Sequence, residues 1–150
     1  MTDWQKYFPY DTPRPAQTEA IEEILRNFEG GKRVFILEAG TGVGKSAIGL
    51  TVARYLQELT SDSDDFGSGS YFLTTQKILQ KQYTKGFGTP GQMISIKSST
   101  NYTCSFHAQN TCAESLRALR VTEKGSPFWK KCVFDCVYKE AKNSFLGSPE

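Results

Sequence analysis

The sequence predicts an α/β fold: part of a parallel sheet with flanking helices, carrying a cysteine-rich and mainly helical insertion. Two strand-like segments predict the sheet. The apolar residues 34–37 enter a glycine loop that is followed by a helix, and residues 71–75 precede another helix. Alternating strands and helices are typical of parallel α/β sheets. The insertion is predicted because all four cysteines lie in the last third of the chain.

The remaining elements are predicted from apolar spacing and from glycine and proline. A first helix should begin near Pro15, because proline is tolerated at the first helical position, and should end at Gly30. Helical spacing of apolar residues predicts a second helix after the glycine loop, to about residue 60. Residues 93–97 are predicted to form a short third strand, and residues 61–70 a flexible acidic loop. The further predicted helices are residues 76–83, 113–121 and 133–145.

The glycine loop predicts a site for a nucleoside triphosphate. Glycines allow successive backbone N–H groups to surround a phosphate, and a helix N-terminus adds partial positive charge. Lys45 is expected to reach the terminal phosphates, and the Ser46 hydroxyl to ligate Mg²⁺. A chance glycine loop is disfavoured because the strand and the helix both stand where the motif requires them. The predicted phosphate-binding residues are Gly40, Thr41, Gly42, Val43, Gly44, Lys45 and Ser46.

Composition and charge indicate an intracellular protein with a polyanionic partner. No apolar run approaches the roughly 20 residues that span a bilayer, and no secretory pattern is present, so no membrane partner is expected. We expect a cytoplasmic protein of a bacterium, archaeon or virus, or a nuclear one in a eukaryote. Residues 1–70 carry 7 basic and 11 acidic side chains, whereas residues 71–150 carry 11 and 5. The basic half suggests nucleic acid, although lysines that keep a surface soluble give the same balance.

The four cysteines predict a metal site, because thiols in a reducing compartment are more often ligands than disulfides. Cys104, Cys112, Cys132 and Cys136 are spaced C-x7-C-x19-C-x3-C, which does not match the usual zinc-ribbon pattern. Four converging thiolates suit a [4Fe–4S] cluster or Zn²⁺, and His107 is an alternative zinc ligand. Four unrelated buried cysteines would be the plain structural explanation.

Segments along nearly the whole chain resemble, in the same order, the iron–sulfur superfamily 2 helicases of the XPD/DinG type, with a preference for the DinG-like branch. Residues 8–10 and 14–17 resemble the Q motif, residues 38–46 motif I, and residues 73–83 motif Ia. Asn101-Tyr102-Thr103-Cys104 is similar to the segment that supplies the first cluster ligand, and residues 136–141 to the one after the last. The cysteine spacings and Ser98-Ser99-Thr100 depart from the family pattern, so Cys112 is the least certain ligand.

The resemblance implies a partial RecA-like P-loop domain of an ATP-dependent DNA helicase. Such an enzyme would move along single-stranded DNA, 5′ to 3′, and would unwind forked duplexes. Gln17, with Arg14 nearby, would recognise the adenine, and the four cysteines would hold a [4Fe–4S] cluster in a wedge. The implied backbone contacts to DNA are Thr74, Thr75, Lys77, Gln80 and Lys81.

Six further residues are candidates for DNA contacts. For the lysines, plain surface solubility is the alternative, and for the aromatic residues the alternative is packing around the cluster. The candidates are Lys130, Lys131, Lys139 and Lys142 for phosphates, and Tyr102 and Phe106 for bases.

The implied division is residues 1–97 for the N-terminal part of the first RecA-like domain, 98–145 for the iron–sulfur insertion and 146–150 for the return. The sequence contains no Asp-Glu-Ala-His box and no second RecA-like domain. We therefore expect a piece of a longer helicase that is inactive as an ATPase by itself. Two other functions stay open: a non-catalytic nucleotide- or DNA-binding module with a structural zinc or cluster, and a P-loop small-molecule kinase with a zinc knob.

Overall fold

The computed structural model describes residues 3–60, 70–87 and 93–147, and the chain forms two compact units. The N-terminal unit is Met1–Lys77 and the C-terminal unit is Ile78–Glu150. Of the predicted acidic loop, only Ser70 lies within the described residues. The described helices are α1 (Pro15–Glu29), α2 (Lys45–Thr60), α3 (Lys77–Gly86), α4 (Cys112–Leu119), α5 (Pro127–Phe134) and α6 (Val137–Leu146), with 3₁₀ turns at Gln5–Tyr7 and Ser99–Asn101.

The N-terminal unit is built on the packing of α1 against the first turns of α2. Helix α1 begins at Pro15, as predicted, and buries residues that recur at helical spacing along one face. The lead-in segment, which is the described chain before α1 (residues 3–14), covers this face with the rings of Trp4 and Phe8, which meet edge to face at 6.5 Å. Because the glycine loop ends where α2 begins, this packing fixes its position relative to α1. The buried core comprises Trp4, Phe8, Ile21, Leu25, Ala47 and Ile48.

The lead-in segment is also tied to the other end of α2. The Lys6 ammonium lies 3.0 Å from the Glu58 carboxylate, and the Tyr7 hydroxyl donates to the same carboxylate. The Tyr7 ring meets the Tyr55 ring edge to face, at 5.9 Å between centroids. Both ends of α2 are therefore held by the first ten residues of the chain.

The predicted parallel sheet, and with it the RecA-like sheet core, is wrong for the described residues, which contain no strand. Residues 34–37, 71–75 and 93–97 have non-helical backbones that belong to no strand. Val34 is 81% exposed, and Ile36 and Leu73 are each 94% exposed. A strand of a parallel sheet needs neighbours on its edges and helices on both faces. An apolar run indicates that a segment can be buried, but it does not supply the neighbour.

The C-terminal unit is helical, and its helices differ from the prediction at α5 and at the start of α6. Helix α4 agrees with the predicted helix at residues 113–121. The helix predicted over residues 133–145 corresponds to α6, which begins only at Val137, whereas residues 127–132, most of α5, were not predicted to be helical. Asp135 and Cys136 leave the helical conformation between α5 and α6. An isolated antiparallel bridge, Thr103 to Thr111, is the β-pairing found among the described residues.

The start of α4 is fixed by a reciprocal cap. The Thr111 hydroxyl accepts from the Glu114 backbone N–H at 3.3 Å, and the Glu114 carboxylate accepts from the Thr111 N–H at 2.7 Å and its hydroxyl at 2.8 Å. Such a capping box satisfies N–H groups that a helix end leaves unpaired. The bonds that Thr111 donates lower the pKa of the Glu114 carboxyl below its ordinary value.

We predict that this cap makes the stability of the C-terminal unit depend on pH. A lowered folded-state pKa stabilises the unit above the unfolded glutamate pKa of about 4.3, and this contribution is lost as the pH falls through the folded-state pKa. Glu114→Gln should therefore lower the melting temperature at pH 7 and have a smaller effect at pH 3. Thermal melts at both pH values test this, with the exposed Glu123→Gln as the control. An equal loss at both pH values would contradict the prediction.

Candidate functional site

The glycine loop has the conformation that its sequence predicts. Gly42 and Gly44 have φ angles of +82° and +87°, a region that side-chain-bearing residues rarely adopt. Helix α2 begins at Lys45, and the N–H groups of Ala47 and Ile48 bond the Gly44 carbonyl at 2.9 and 3.2 Å. The positive φ angles turn the loop sharply into the helix N-terminus. Backbone N–H groups at such a place are a general site for anions.

Gln17 and Arg14 bond directly to this loop. The Gln17 Nε2 donates to the Val43 carbonyl at 2.9 Å, and its Oε1 accepts from the Arg14 N–H at 2.9 Å. The Arg14 guanidinium donates to the Gly42 carbonyl at 3.1 Å. Gln17 is only 5% exposed, so its amide is held between α1 and the loop.

This contact was not predicted from the sequence, although one signal was available. Gln17 is the third residue of α1 after Arg14, and a glutamine at that position commonly reaches back to the N-cap N–H. That bond fixes one end of the amide. The other end then points away from its own helix and is free to bond another segment.

The Lys45 side chain lies along the loop. Its Nζ donates to the carbonyls of Ala39 at 2.7 Å and Gly40 at 2.9 Å. An ammonium has three donors, so one remains for a ligand. Lys45 is exposed and Ser46 is partly exposed, so solvent reaches the mouth of the loop.

The residues predicted to contact DNA are mostly on the surface. Thr75, Lys77 and Lys81 are exposed, and Thr74 is partly exposed, with its hydroxyl accepting from the Gln76 N–H at 3.2 Å. Gln80 differs, because its Oε1 atom is buried and has no hydrogen-bond partner among the described residues. Thr74, Thr75 and Lys77 belong to the N-terminal unit, whereas Gln80 and Lys81 belong to the C-terminal unit.

In the C-terminal unit, local structure brings the four cysteines to one pocket. The Cys104 N–H bonds the Asn110 carbonyl at 2.9 Å and the Cys112 N–H bonds the Tyr102 carbonyl at 2.8 Å, which closes the loop between these two cysteines. Cys112 is the first residue of α4, Cys132 lies in α5, and Cys136 caps α6. All four are buried and free, and the Cys112 and Cys136 sulfurs are 3.7 Å apart. The pocket is lined by Cys104, Ser105, Phe106, Cys112, Ser115, Lys131, Cys132, Asp135 and Cys136.

The four thiols do not share one electrostatic environment. Burial raises the pKa of Cys112 to about 11, helped by the neighbouring Cys136 thiol, and burial also raises the pKa of Cys132. For Cys104 burial acts in the same direction, but the nearby N–H groups of His107 and Phe106 and the Ser115 hydroxyl outweigh it and lower the pKa. The His107 N–H lies 3.4 Å from the Cys104 sulfur. The Ser115 hydroxyl lies near this sulfur without completing a hydrogen bond of ordinary geometry.

Two other candidate residues near the pocket, His107 and Tyr102, pack against aromatic rings. The His107 ring packs between the rings of Phe106 and Phe128, at 4.8 and 4.7 Å, and does not line the pocket. Tyr102 packs against Tyr138 at 5.4 Å. Within the described ranges, no group of three or more His, Cys, Asp or Glu side chains is arranged to hold a metal ion. The thiols therefore surround a pocket and do not form a closed mononuclear site.

The lysines predicted to contact phosphate also differ in their surroundings. Lys131 forms an ion pair with Asp135 beside the pocket, one helical turn further on. Lys130 and Lys142 are exposed, and Lys139 is partly exposed. Lys131 is therefore the least available of the four for a phosphate.

Comparison with known proteins gives a family. Residues 11–122 match the family described as "Type III restriction enzyme, res subunit". Domains of this family belong to the superfamily 2 helicases and are found in ATP-dependent helicases and ATPases. The match includes the glycine loop and the first two cysteines and ends before the last two. No curated protein and no solved structure matches the chain.

In the part of the chain that the structure describes, no helix is both long and apolar enough to cross a bilayer.

We predict that Gly44 is essential to the shape of the loop. A methyl group there would meet the Gln17 Nε2, and the φ of +87° would strain any L side chain. Gly44→Ala should therefore lower the free energy of unfolding of the ligand-free protein by about 1–3 kcal/mol. Gly40→Ala is the matched control, because a methyl group at Gly40 would meet open space. Chemical denaturation measures both, and equal stabilities would contradict the prediction.

Proposed function

Since the chain belongs to the type III restriction enzyme res subunit family, we propose that it carries the ATP-binding elements of a DNA helicase that moves along single-stranded DNA, 5′ to 3′. The observation that carries the proposal is the glycine loop. Two of its glycines have positive φ, it ends at the N-terminus of a 16-residue helix, and a lysine stands at the junction. This combination of turn, helix end and ammonium suits a triphosphate with Mg²⁺.

In this proposal the loop residues contact different parts of the Mg²⁺-bound triphosphate. The backbone N–H groups between Gly40 and Gly44 surround the anionic oxygens, and the Lys45 ammonium stabilises the terminal phosphates. The Ser46 hydroxyl, at the start of α2, ligates Mg²⁺. A phosphate would compete with the Ala39 and Gly40 carbonyls for Lys45, and charge favours the phosphate, because charge-assisted hydrogen bonds are the stronger ones.

Adenine recognition by Gln17 is compatible with its contacts to the loop. A glutamine amide has two N–H donors and an oxygen with two lone pairs, and the described contacts use one of each. The remaining donor and lone pair are the complement of the adenine edge, which offers an acceptor and a donor side by side. Gln17 would then bind the base and hold the loop through the same amide, with Arg14 beside it.

For DNA we propose the surface residues of the motif Ia segment. Lys77 and Lys81 are one helical turn apart on α3, and both are exposed cations suited to phosphates. Thr74 and Thr75 precede the helix, and their hydroxyls are suited to donate hydrogen bonds to phosphate oxygens of the DNA backbone. Gln80 contributes less through its carbonyl, because this oxygen is buried.

We further propose that Cys104, Cys112, Cys132 and Cys136 hold a [4Fe–4S] cluster in a domain that separates DNA strands. Cysteine thiolates are the ligands that hold such clusters, and four buried thiols line one pocket. Burial raises the pKa values of Cys112 and Cys132, so a bound metal would have to displace their protons. When bound, the cluster would supply a rigid cross-link between α4, α5, α6 and the loop before α4. Zn²⁺ would use the same thiolates, and the separation of 3.7 Å between the Cys112 and Cys136 sulfurs is close to one edge of a zinc tetrahedron.

The nucleotide proposal is tested at Lys45. A hydrogen bond to a charged group contributes about 1.5–3 kcal/mol, so Lys45→Ala should weaken Mg·ATP binding by roughly 10- to 100-fold. Titration calorimetry measures this, with the exposed Lys32→Ala as a matched control that keeps wild-type affinity. Metal content should not change in either variant. Unchanged affinity in Lys45→Ala would refute the assignment of the loop.

The cluster proposal is tested by metal analysis of anaerobically purified protein. We expect iron and acid-labile sulfide in equal amounts and a broad absorbance near roughly 400 nm, as thiolate-held clusters show. Cys132→Ser should lose both, whereas Ser105→Ala, an exposed position at the same pocket, should retain them. One zinc per chain without sulfide would contradict the cluster and leave a zinc-stabilised unit.

A further inference from the structure

Ser115 is the buried hydroxyl of the C-terminal unit that the proposed site does not use. The residue is 1% exposed, and its Oγ has no hydrogen-bond partner among the described residues. A buried hydroxyl without a partner is costly, because it gives up its bonds to water. A native protein that keeps such a group usually has a role or a ligand for it.

The helix of Ser115 offers the usual solution, and Ser115 does not take it. Serine and threonine hydroxyls within helices commonly donate to the carbonyl four residues earlier. Thr51 and Thr84 donate in this way, at 2.8 and 3.0 Å. The Ser115 hydroxyl makes no such bond to the Thr111 carbonyl, although that carbonyl accepts the Ser115 backbone N–H at 3.1 Å.

The position of Ser115 shows where the hydroxyl can find an acceptor. Ser115 follows Cys112 by three residues on α4, so both lie on one face of the helix, and it lines the pocket together with all four cysteines. The other side-chain donors that line this pocket, Ser105 and Lys131, are not buried, and Lys131 is paired with Asp135. The Ser115 hydroxyl is therefore the buried side-chain hydroxyl that the described residues place beside the sulfurs, and it lies near that of Cys104.

We propose that Ser115 donates a hydrogen bond to a sulfur of the bound cluster and thereby raises its reduction potential; this rests on the proposed cluster. When bound, an oxidised [4Fe–4S]²⁺ centre with four thiolates would have a net charge of −2. One electron from dithionite, the reductant of the redox titration, would make the charge −3, with no bond broken and no proton required. A hydrogen bond to sulfur stabilises the more negative state better, so it favours reduction. Ser115 is in this sense a positioning residue that tunes the cluster and does not ligate it.

The test is a redox titration of the cluster in the whole chain, followed by electron paramagnetic resonance of the reduced form. Ser115→Ala should shift the midpoint to a more negative potential while iron and sulfide content stay at the wild-type level. Ser144→Ala, the same change at an exposed position of α6, should leave the midpoint unchanged. An unchanged midpoint in Ser115→Ala with the cluster retained would overturn the proposal.

Two further outcomes keep the test decisive. If Ser115→Ala loses the cluster, Ser115→Thr takes its place: a midpoint at the wild-type value supports the hydrogen bond, and a more negative one overturns it. Wild-type protein without iron and sulfide would overturn the cluster and the role of Ser115 together. A wild-type cluster whose potential does not respond to Ser115 would overturn the role of Ser115 alone.

Discussion

The C-terminal unit depends on the burial of four cysteine thiols. Its buried apolar side chains among the described residues are these four and Phe128, with Ser115 as the buried polar one. A unit of this size has a small core, and natural domains of similar size often add disulfides, a structural metal or oligomerisation. If the proposed cluster is present, its binding energy is also folding energy, because the ligands lie on segments that are far apart in the unfolded chain. Folding of the unit and binding of the cluster are then thermodynamically coupled.

The N-terminal unit depends on a different single contact, the amide of Gln17. Helix α1 packs on α2 through apolar residues. The glycine loop before α2 is held by hydrogen bonds that Gln17 and Arg14 donate to its carbonyls. A buried amide that is bonded at both ends is costly to move, because breaking either bond leaves a buried polar group unpaired. The shape of the loop is therefore coupled to the start of α1. In the function that we propose, this amide would bind the base and also hold the loop that binds the phosphates.

Elements that depend on neighbouring residues were predicted from the sequence, whereas elements that depend on distant residues were not. Helical spacing predicted α1, α2, α3 and α4 to within a few residues, because the periodicity of burial is local. The same reasoning missed residues 127–132 of α5. It also began the last helix at residue 133, because apolar spacing continues across Asp135 and Cys136 although their backbones leave the helix. The sheet was wrong for a related reason. Residues 34–37 are apolar, but strand formation depends on a neighbour that their own sequence does not describe.

The sequence by itself determined the local features of the candidate sites: the glycines with positive φ, the lysine at the start of α2, and four cysteines that share one region. These follow from the backbone freedom of glycine and from spacing along the chain. Only the tertiary structure decided that Gln17 bonds Val43, that Cys112 lies beside Cys136, and that the Ser115 hydroxyl is left without a partner. Each of these depends on how segments 24 or more residues apart pack, or on which acceptors that packing leaves within reach of a side chain. Local sequence fixes dihedral angles and burial, whereas such contacts are selected by the packing of the whole unit.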